Sequence, residues 1–361
     1  MKIGWLLRAP VEQREGRAWS PMAGIRMRTL LPAAELAALG EETVLVQLPL
    51  SGELDARATA QLEARDAVVF APVAPAPGQS IDDAAPAAFK LIEQLKRQSI
   101  RTVADIHDDH FEVEGRIAYF TGLVRNVDAV FVNSPAMAEL VARYSQQPVR
   151  VIADPYEGAR DEPRFAPVAG TRLLDRVLPW RAARLQLAWF GHQSNRQPAF
   201  DLAQALAARK LRWPIDFALV SRSGFGIDEV CATFNHYHGR RCRTRFIEWS
   251  PAATQSALAQ CDLAVIPVDP ALRKTGVKSA NRLVEILRAG RFALAHPVAS
   301  YAEFADYAWI GEDIAAGIEW AMRHRDEVDA RVRAGQRYVE EKFSPRAIGM
   351  QWRDALRGIL S

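Results

Sequence analysis

The densest chemistry in the first half of the chain is Asp105-Ile106-His107-Asp108-Asp109-His110, three carboxylates and two imidazoles within six residues, at the end of an apolar, β-branched run. Such a group is costly to bury without a purpose. A carboxylate or imidazole there can take a proton from a hydroxyl or clamp a sugar, so Asp105, His107 and His110 are candidate catalytic groups. Helix capping by Asp108 or Asp109 is a second reading of the same residues. Metal ligation is a third, although the spacing matches no sharp metal signature. In the second half the informative stretch runs from Arg273 to Ala295. There an apolar strand leads into a loop carrying Lys274, Lys278 and Ser279, and then into a helix. Free N–H groups and partial positive charge at a helix start suit a phosphate, and the two lysines add full charges. Glu285 shares a helix face with Asn281 and Arg282, and its carboxylate can accept both hydroxyls of a ribose. A solvated cationic loop capped by Ser279 competes with that reading.

Other groups carry weaker signals. Arg222 follows a strand in Ser221-Arg222-Ser223-Gly224-Phe225-Gly226 and can reach the same phosphates. The dinucleotide fingerprint fails there, because Glu229 stands where the third glycine belongs. Arg8, Arg14, Arg17, Arg26 and Arg28 gather around the loop after the first strand. They fit an anionic ligand, such as an acidic saccharide or a lipid-linked phosphate, and they fit a solvated loop. Cys231, His236, His238 and Cys242 have atypical zinc spacing and read as structural.

Short apolar runs alternating with amphipathic stretches must position these groups. Strands are expected at residues 2–7, 43–47, 67–71, 101–105, 129–133 and 149–153, each short, rich in Val, Ile and Phe, and followed by turn or capping residues. Helices are expected at 25–39, 82–98 and 135–144, the last with Ser134 as N-cap and Pro135 at the first helical position. From 154 to 184 the periodicity fails amid Pro155, Gly158, Pro163, Pro167, Gly170 and Pro179, which reads as a linker. Alternation resumes with strands at 185–190, 215–220, 244–247, 263–266, 292–295 and 308–310. Helices follow at 252–260 and 278–289, and purely helical sequence closes the chain at 313–324, 326–342 and 345–360. Alternating strands and helices imply two parallel α/β sheets covered on both faces. Two such domains would leave a cleft, and ligands of these sheets bind beyond the carboxyl ends of the strands.

Composition narrows the function classes. The 361 residues are 49% hydrophobic and 25% charged, ordinary for a globular protein and unlike disordered or collagenous chains. Three cysteines make no disulfide framework. No apolar run approaches the roughly 18 residues that span a bilayer, and the N-terminus lacks signal-peptide character. A cytoplasmic protein is expected, with peripheral contact to the inner face of a membrane left open. Residues 1–165 hold 18 Lys and Arg against 23 Asp and Glu, whereas 166–361 hold 28 against 20. A basic second half suits a phosphate-bearing ligand. Nucleic acid is disfavoured, because the one dense basic run, 240–245, has no interleaved aromatics to stack on bases.

Asn281-Arg282-Leu283-Val284-Glu285, then Ala289-Gly290 and an apolar strand, resembles the signature of GT-B glycosyltransferases, nearest to the nucleotide-sugar enzymes that build bacterial surface polysaccharides. Other segments follow in order. Trp189-Phe190-Gly191-His192 resembles the first strand of the donor domain. Gly24-Ile25-Arg26 resembles the loop-to-helix passage of the acceptor domain, and 262–267 the strand before the donor helix. Phe343-Ser344-Pro345 with Gln351-Trp352 resembles the closing helix. The resemblance implies an acceptor domain at 1–165 plus 345–361, with Gly24 and Arg26 on the acceptor side. It implies a donor domain at 166–344, where Gly191 lets the backbone approach a diphosphate and Arg196 adds charge. The donor would be a nucleotide-diphosphate sugar and the acceptor a saccharide or lipid-linked molecule, with no protein-bound metal and no other cofactor. Retaining members usually carry a second glutamate eight residues before the first, where this chain has Val277, so stereochemistry stays open. A nucleotide-sugar epimerase or hydrolase on the same fold, or a non-catalytic nucleotide-binding partner, are the alternatives.

Overall fold

The computed structural model describes residues 1–48, 55–73, 80–167, 183–209, 211–224, 226–269 and 273–361. Residues 168–182 of the expected linker, and Phe225, lie outside them. The chain forms two compact units. The first comprises Met1–Tyr156, Gly276–Ser279 and Lys342–Ser361, and the second Glu157–Thr275 and Ala280–Glu341.

Strands of the first unit are β1 (Lys2–Arg8), β2 (Glu12–Arg14), β3 (Arg17–Trp19), β4 (Glu42–Gln47), β5 (Ala67–Val73), β6 (Arg101–Ile106), β7 (Ala129–Val132) and β8 (Val149–Val151). All but β2 and β3 form one parallel six-stranded sheet in the order β4-β1-β5-β6-β7-β8. Alternate side chains feed two apolar layers. In one, Leu6, Val68, Phe70, Ala104 and Val130 meet Leu91, Ile92 and Leu95 of the helix Ala85–Arg97 and Leu123 of the helix Ile117–Asn126. In the other, Ile3, Trp5, Val69, Val103 and Phe131 meet Leu36 of the helix Leu31–Ala38 and Ile348, Trp352 and Leu356 of the final helix, Pro345–Leu360. Ser344 fixes the start of that last helix, its hydroxyl accepting from the Ala347 N–H at 3.2 Å. Trp352 lies 4.9 Å from Trp5 and 5.2 Å from Phe131, centroid to centroid, and Arg357 donates to Glu41 at 2.8 Å. Each large apolar side chain buried this way contributes about 1.5–3 kcal/mol.

The second unit repeats the plan with β9 (Leu185–Phe190), β10 (Ile215–Ser221), β11 (Cys242–Glu248), β12 (Leu263–Ile266), β13 (Phe292–Ala295) and β14 (Trp309–Ile310). Leu187, Trp189, Leu219, Val265 and Leu294 share its core with Leu202 and Leu206 of the helix Gln197–Ala208 and Ile318 of the helix Ile314–Arg323. Its parallel order is β11-β10-β9-β12-β13-β14, the doubly wound arrangement whose strand order reverses between β9 and β12. Ligands bind such sheets outside the carboxyl ends at that reversal. Here those ends lead to Gly191 after β9 and, after β12, towards the helix Asn281–Arg288.

The structure differs from expectation in several places. A hairpin of β2 with β3 turns through Glu15 and Gly16, both with positive φ (50° and 76°). Two left-handed central residues make the tight turn that matches strand twist, but three-residue strands are too short to show alternation in sequence. The helix expected at 25–39 is interrupted by a π-helical turn at Arg26–Leu30. The helix expected from 278 begins at Asn281, with Ala280 rather than Ser279 at the cap. The units divide at Glu157, because hydrogen bonds donated by Arg291 and Gln336 and accepted by Glu285 and Asp329 tie residues 157–165 to the second of them.

Candidate functional site

In the first unit the acidic cluster is divided by burial. Asp105, at the end of β6, is 2% exposed and brackets the Arg28 guanidinium, accepting from Nη2 at 2.5 Å and from Nε at 3.2 Å on both oxygens. Arg28 Nη1 also donates to the Ile152 carbonyl and, at 3.3 Å, to Asp154. Burial opposes charge on Arg28, but the two carboxylates more than offset it and hold its pKa above the usual value. Burial pushes the Asp105 carboxyl up against the pull of Arg28. Both Asp105 oxygens are thus committed to a buried ion pair. His110 stacks on Phe120 with centroids 4.6 Å apart, and its Nδ1 lies 3.2 Å from Arg116 Nη1. Burial lowers its pKa to about 4, with Arg116 and His107 adding to that and Asp108 opposing it. It is neutral at pH 7 and a weak base.

His107, the other imidazole of the cluster, is partly exposed. Its side chain is 21% exposed, and Nε2 lies 3.3 Å from Asp108 Oδ2. The same Nε2 stands 2.6 Å from where a Cβ on Gly24 would lie, so the glycine makes room for the imidazole. Gly24 and His107 are separate signals in the sequence; the fold brings them together. Asn133, 6% exposed just past β7, donates through Nδ2 to the His107 carbonyl at 3.0 Å and steadies that loop. Arg26 is 7% exposed and donates to the Ser20 carbonyl at 2.8 Å, with Trp19 5.8 Å from its guanidinium. It shapes the loop rather than standing in solvent.

In the second unit, Gly191 donates its N–H to the Val220 carbonyl at 3.1 Å, and a Cβ there would meet the Trp189 ring at 2.9 Å. Arg196 donates through Nε to the Gln193 carbonyl at 3.2 Å, and its Nη2 packs against Gly224. Its Nη1 is buried and finds no acceptor among the described residues, and the same holds for Nη1 of Arg282 in the first turn of its helix. A buried, unsatisfied donor costs about 1–3 kcal/mol. Arg196 follows β9 in the chain and Arg282 lies in the helix after β12, and a guanidinium nitrogen left without an acceptor can donate to an anion. Arg222 is exposed, with its guanidinium 5.7 Å from the Trp249 ring. Lys274 falls in the short helical turn Arg273–Gly276. Asn281 opens the helix, and Glu285, 9% exposed, accepts from the N–H groups of Glu157 at 2.6 Å and Gly158 at 2.9 Å. Lys278 and Ser279 belong to the 276–279 segment that groups with the first unit, where Val277 packs on the apolar core and its carbonyl accepts from Ser134 Oγ at 3.3 Å. The valine therefore has a packing role at that position. Cys231 and Cys242 are buried, and burial pushes the Cys242 thiol up to about 12.

No protein-family model matches the chain, and no curated protein matches it in sequence. Solved structures do match in fold. Anabaena Alr3699/HepE, solved in complex with UDP-glucose, aligns with a TM-score of 0.67 at 14% identity over 99% of this chain and 100% of its own. A Rickettsia africae glycosyltransferase aligns with a TM-score of 0.68 at 11% identity, over 100% and 98%. WaaG, a glycosyltransferase involved in lipopolysaccharide biosynthesis, gives 0.59 at 13% identity, over 99% and 100%. The chain has the GT-B fold. In that fold's terms the His107 group lies in the N-terminal unit, and Arg196, Arg282 and Glu285 lie in the C-terminal one. Sequence reading missed Asn133, Asp154 and the 157–158 amides. The first two stand just past strand ends, where a closer reading of polar residues would have found them; the amides carry no side-chain signal at all.

Proposed function

We propose that this chain is a glycosyltransferase that moves a sugar from a nucleotide-diphosphate donor to a saccharide or lipid-linked acceptor in glycoconjugate synthesis. The observation that carries the reading is the pair of buried guanidinium nitrogens on Arg196 and Arg282 that have no acceptor among the described residues. In transfer, the bond between the anomeric carbon and the diphosphate oxygen breaks, and negative charge grows on the departing group. Preorganised cations stabilise that charge. In this reading Arg196 and Arg282 do so, with Arg222 as a further contributor, and Asn281 and Glu285 take the nucleoside end. With that charge supplied by side chains, we propose transfer without a protein-bound metal, and activity unchanged by a chelator is the expected result. His107, paired with Asp108 and seated over Gly24, is the residue best placed to receive the acceptor hydroxyl's proton if configuration inverts. Asp105, whose two oxygens accept from Arg28, is assigned in this reading to holding the first unit together, and the proton is assigned to His107.

The parallel with HepE, which was solved with UDP-glucose, supports a nucleotide-sugar donor. Among the described residues, no helix is long and apolar enough to cross a membrane. A cytoplasmic location with peripheral membrane contact goes with a lipid-linked acceptor. The test is thermal stabilisation by UDP, GDP, CMP, TDP and ADP, alone and as sugar conjugates. One of them should raise the melting temperature, and Arg282→Met should remove most of that gain. No response to any of them overturns the assignment. Release of free sugar or an epimer from donor alone, without acceptor, favours a hydrolase or epimerase instead.

A further inference from the structure

The chain passes into the second unit at Glu157, and the first two amides after that point both donate to one side chain, Glu285. The fit is close, because a Cβ on Gly158 would collide with Glu285 Oε2. The rest of this strap, residues 157–165, is held by other groups. Arg291, 1% exposed, donates to the Glu162 carbonyl at 2.9 Å and pairs with Asp161 at 2.5 Å. Gln336 donates to the Asp161 carbonyl at 2.8 Å, and the Phe165 N–H donates to Asp329 at 3.0 Å. Glu285 alone among these anchors stands on the same helix as Arg282, whose unsatisfied nitrogen marks the proposed donor site.

We infer that Glu285 is a positioning residue that fastens the strap and couples it to donor occupancy. Carboxylate-to-amide bonds are charge-assisted and stronger than neutral ones. A carboxylate has about four lone-pair directions, and the coupling requires one of them to accept from a ribose hydroxyl when donor binds. Anything that moves the carboxylate then moves both, and the coupling is reciprocal. The coupling rests on the donor reading, whereas the fastening does not.

Hydrogen–deuterium exchange on the full chain without nucleotide tests the fastening. Glu285→Gln replaces one acceptor oxygen by an NH2 group facing an amide. Exchange at residues 157–158 should accelerate by roughly tenfold or more, with β9 and β13 amides unchanged. Unchanged exchange at 157–158 overturns the proposal. Gly158→Ala, which leaves Glu285 in place but displaces its carboxylate, should accelerate the same amides and carries the test should Glu285→Gln unfold. It should also weaken, by about threefold or more, binding of whichever of UDP, GDP, CMP, TDP and ADP best stabilises the wild type. Unchanged affinity in Gly158→Ala overturns the coupling. If none of the five stabilises the wild type, the donor reading and the coupling fail together, and exchange still decides the fastening.

Discussion

Replacing Arg28 by Met would leave Asp105 and Asp154, 2% and 8% exposed, with no cation between them. The Ile152 carbonyl would lose its donor in the same step. Removing one partner from a buried ion pair costs about 3–5 kcal/mol, because the remaining charge stays desolvated. For a unit of this size each kcal/mol lowers the melting temperature by about 2–4 °C, so the expected loss is roughly 6–20 °C. Asp105→Asn keeps the shape and leaves Arg28 its contact with Asp154, so it should cost less, about 1.5–3 kcal/mol. Thermal unfolding followed by tryptophan fluorescence suits the measurement, since the Arg28 guanidinium lies 5.3 Å from the Trp352 ring. Donor turnover should survive in whatever fraction of Asp105→Asn remains folded. An Asp105→Asn protein as stable as the wild type but devoid of transfer activity would refute the reasoning and return Asp105 to the candidate bases.

Four further outcomes are expected. His110, with a pKa of about 4 when folded against an ordinary 6.5, binds fewer protons folded than unfolded between those values, so stability falls as pH drops through that window. The loss between pH 7 and pH 5 should be about 2 kcal/mol, and His110→Phe should flatten a urea-midpoint profile over the same range. Gly24→Ala would push His107 from its seat; transfer should fall while nucleotide-induced stabilisation stays. Arg282→Met removes an unsatisfied buried donor, so it should raise the nucleotide-free melting temperature yet weaken nucleotide binding by roughly tenfold or more, as read by calorimetry. Gly290→Ala combines a φ of 66° with a Cβ 2.6 Å from Pro163, and should lower the second unit's denaturation midpoint by an amount equivalent to about 1–3 kcal/mol.

The inner strands of both sheets are legible in the sequence because their residues are buried on both faces, which leaves continuous apolar runs such as Val68-Val69-Phe70 and Leu263-Ala264-Val265-Ile266. Strand ends are legible for the same reason, and with them the places where site residues stand. Partners are not. Asp105 and His107 look alike in sequence, two residues apart at the end of one strand. A π-helical turn some eighty positions earlier brings Arg28 to the first, while Gly24 leaves room for the second. Glu285 is legible as a carboxylate on the face of Asn281 and Arg282, but its bonds run to backbone amides that no residue type announces.

Net charge is the weakest guide. The basic excess of the second half suggests a phosphate ligand, yet several of its arginines are used up by the protein's own backbone. Arg291 donates to the carbonyls of Leu258, Ala259, Glu162, Ala289 and Gly290. Arg184 donates to those of Ile215 and Gly239 and pairs with Asp216. A guanidinium has five N–H donors in a fixed fork, so it closes off carbonyls at loops and strand ends where no amide is within reach. Counting such arginines as ligand-binding charge overstates the field at the site. The informative quantity is the donor left over on a guanidinium that no carboxylate among the described residues pairs with: Arg196 and Arg282 each retain a buried Nη1, whereas Arg288 and Arg353, each with a buried Nε lacking an acceptor, are paired with Glu340 and Asp354.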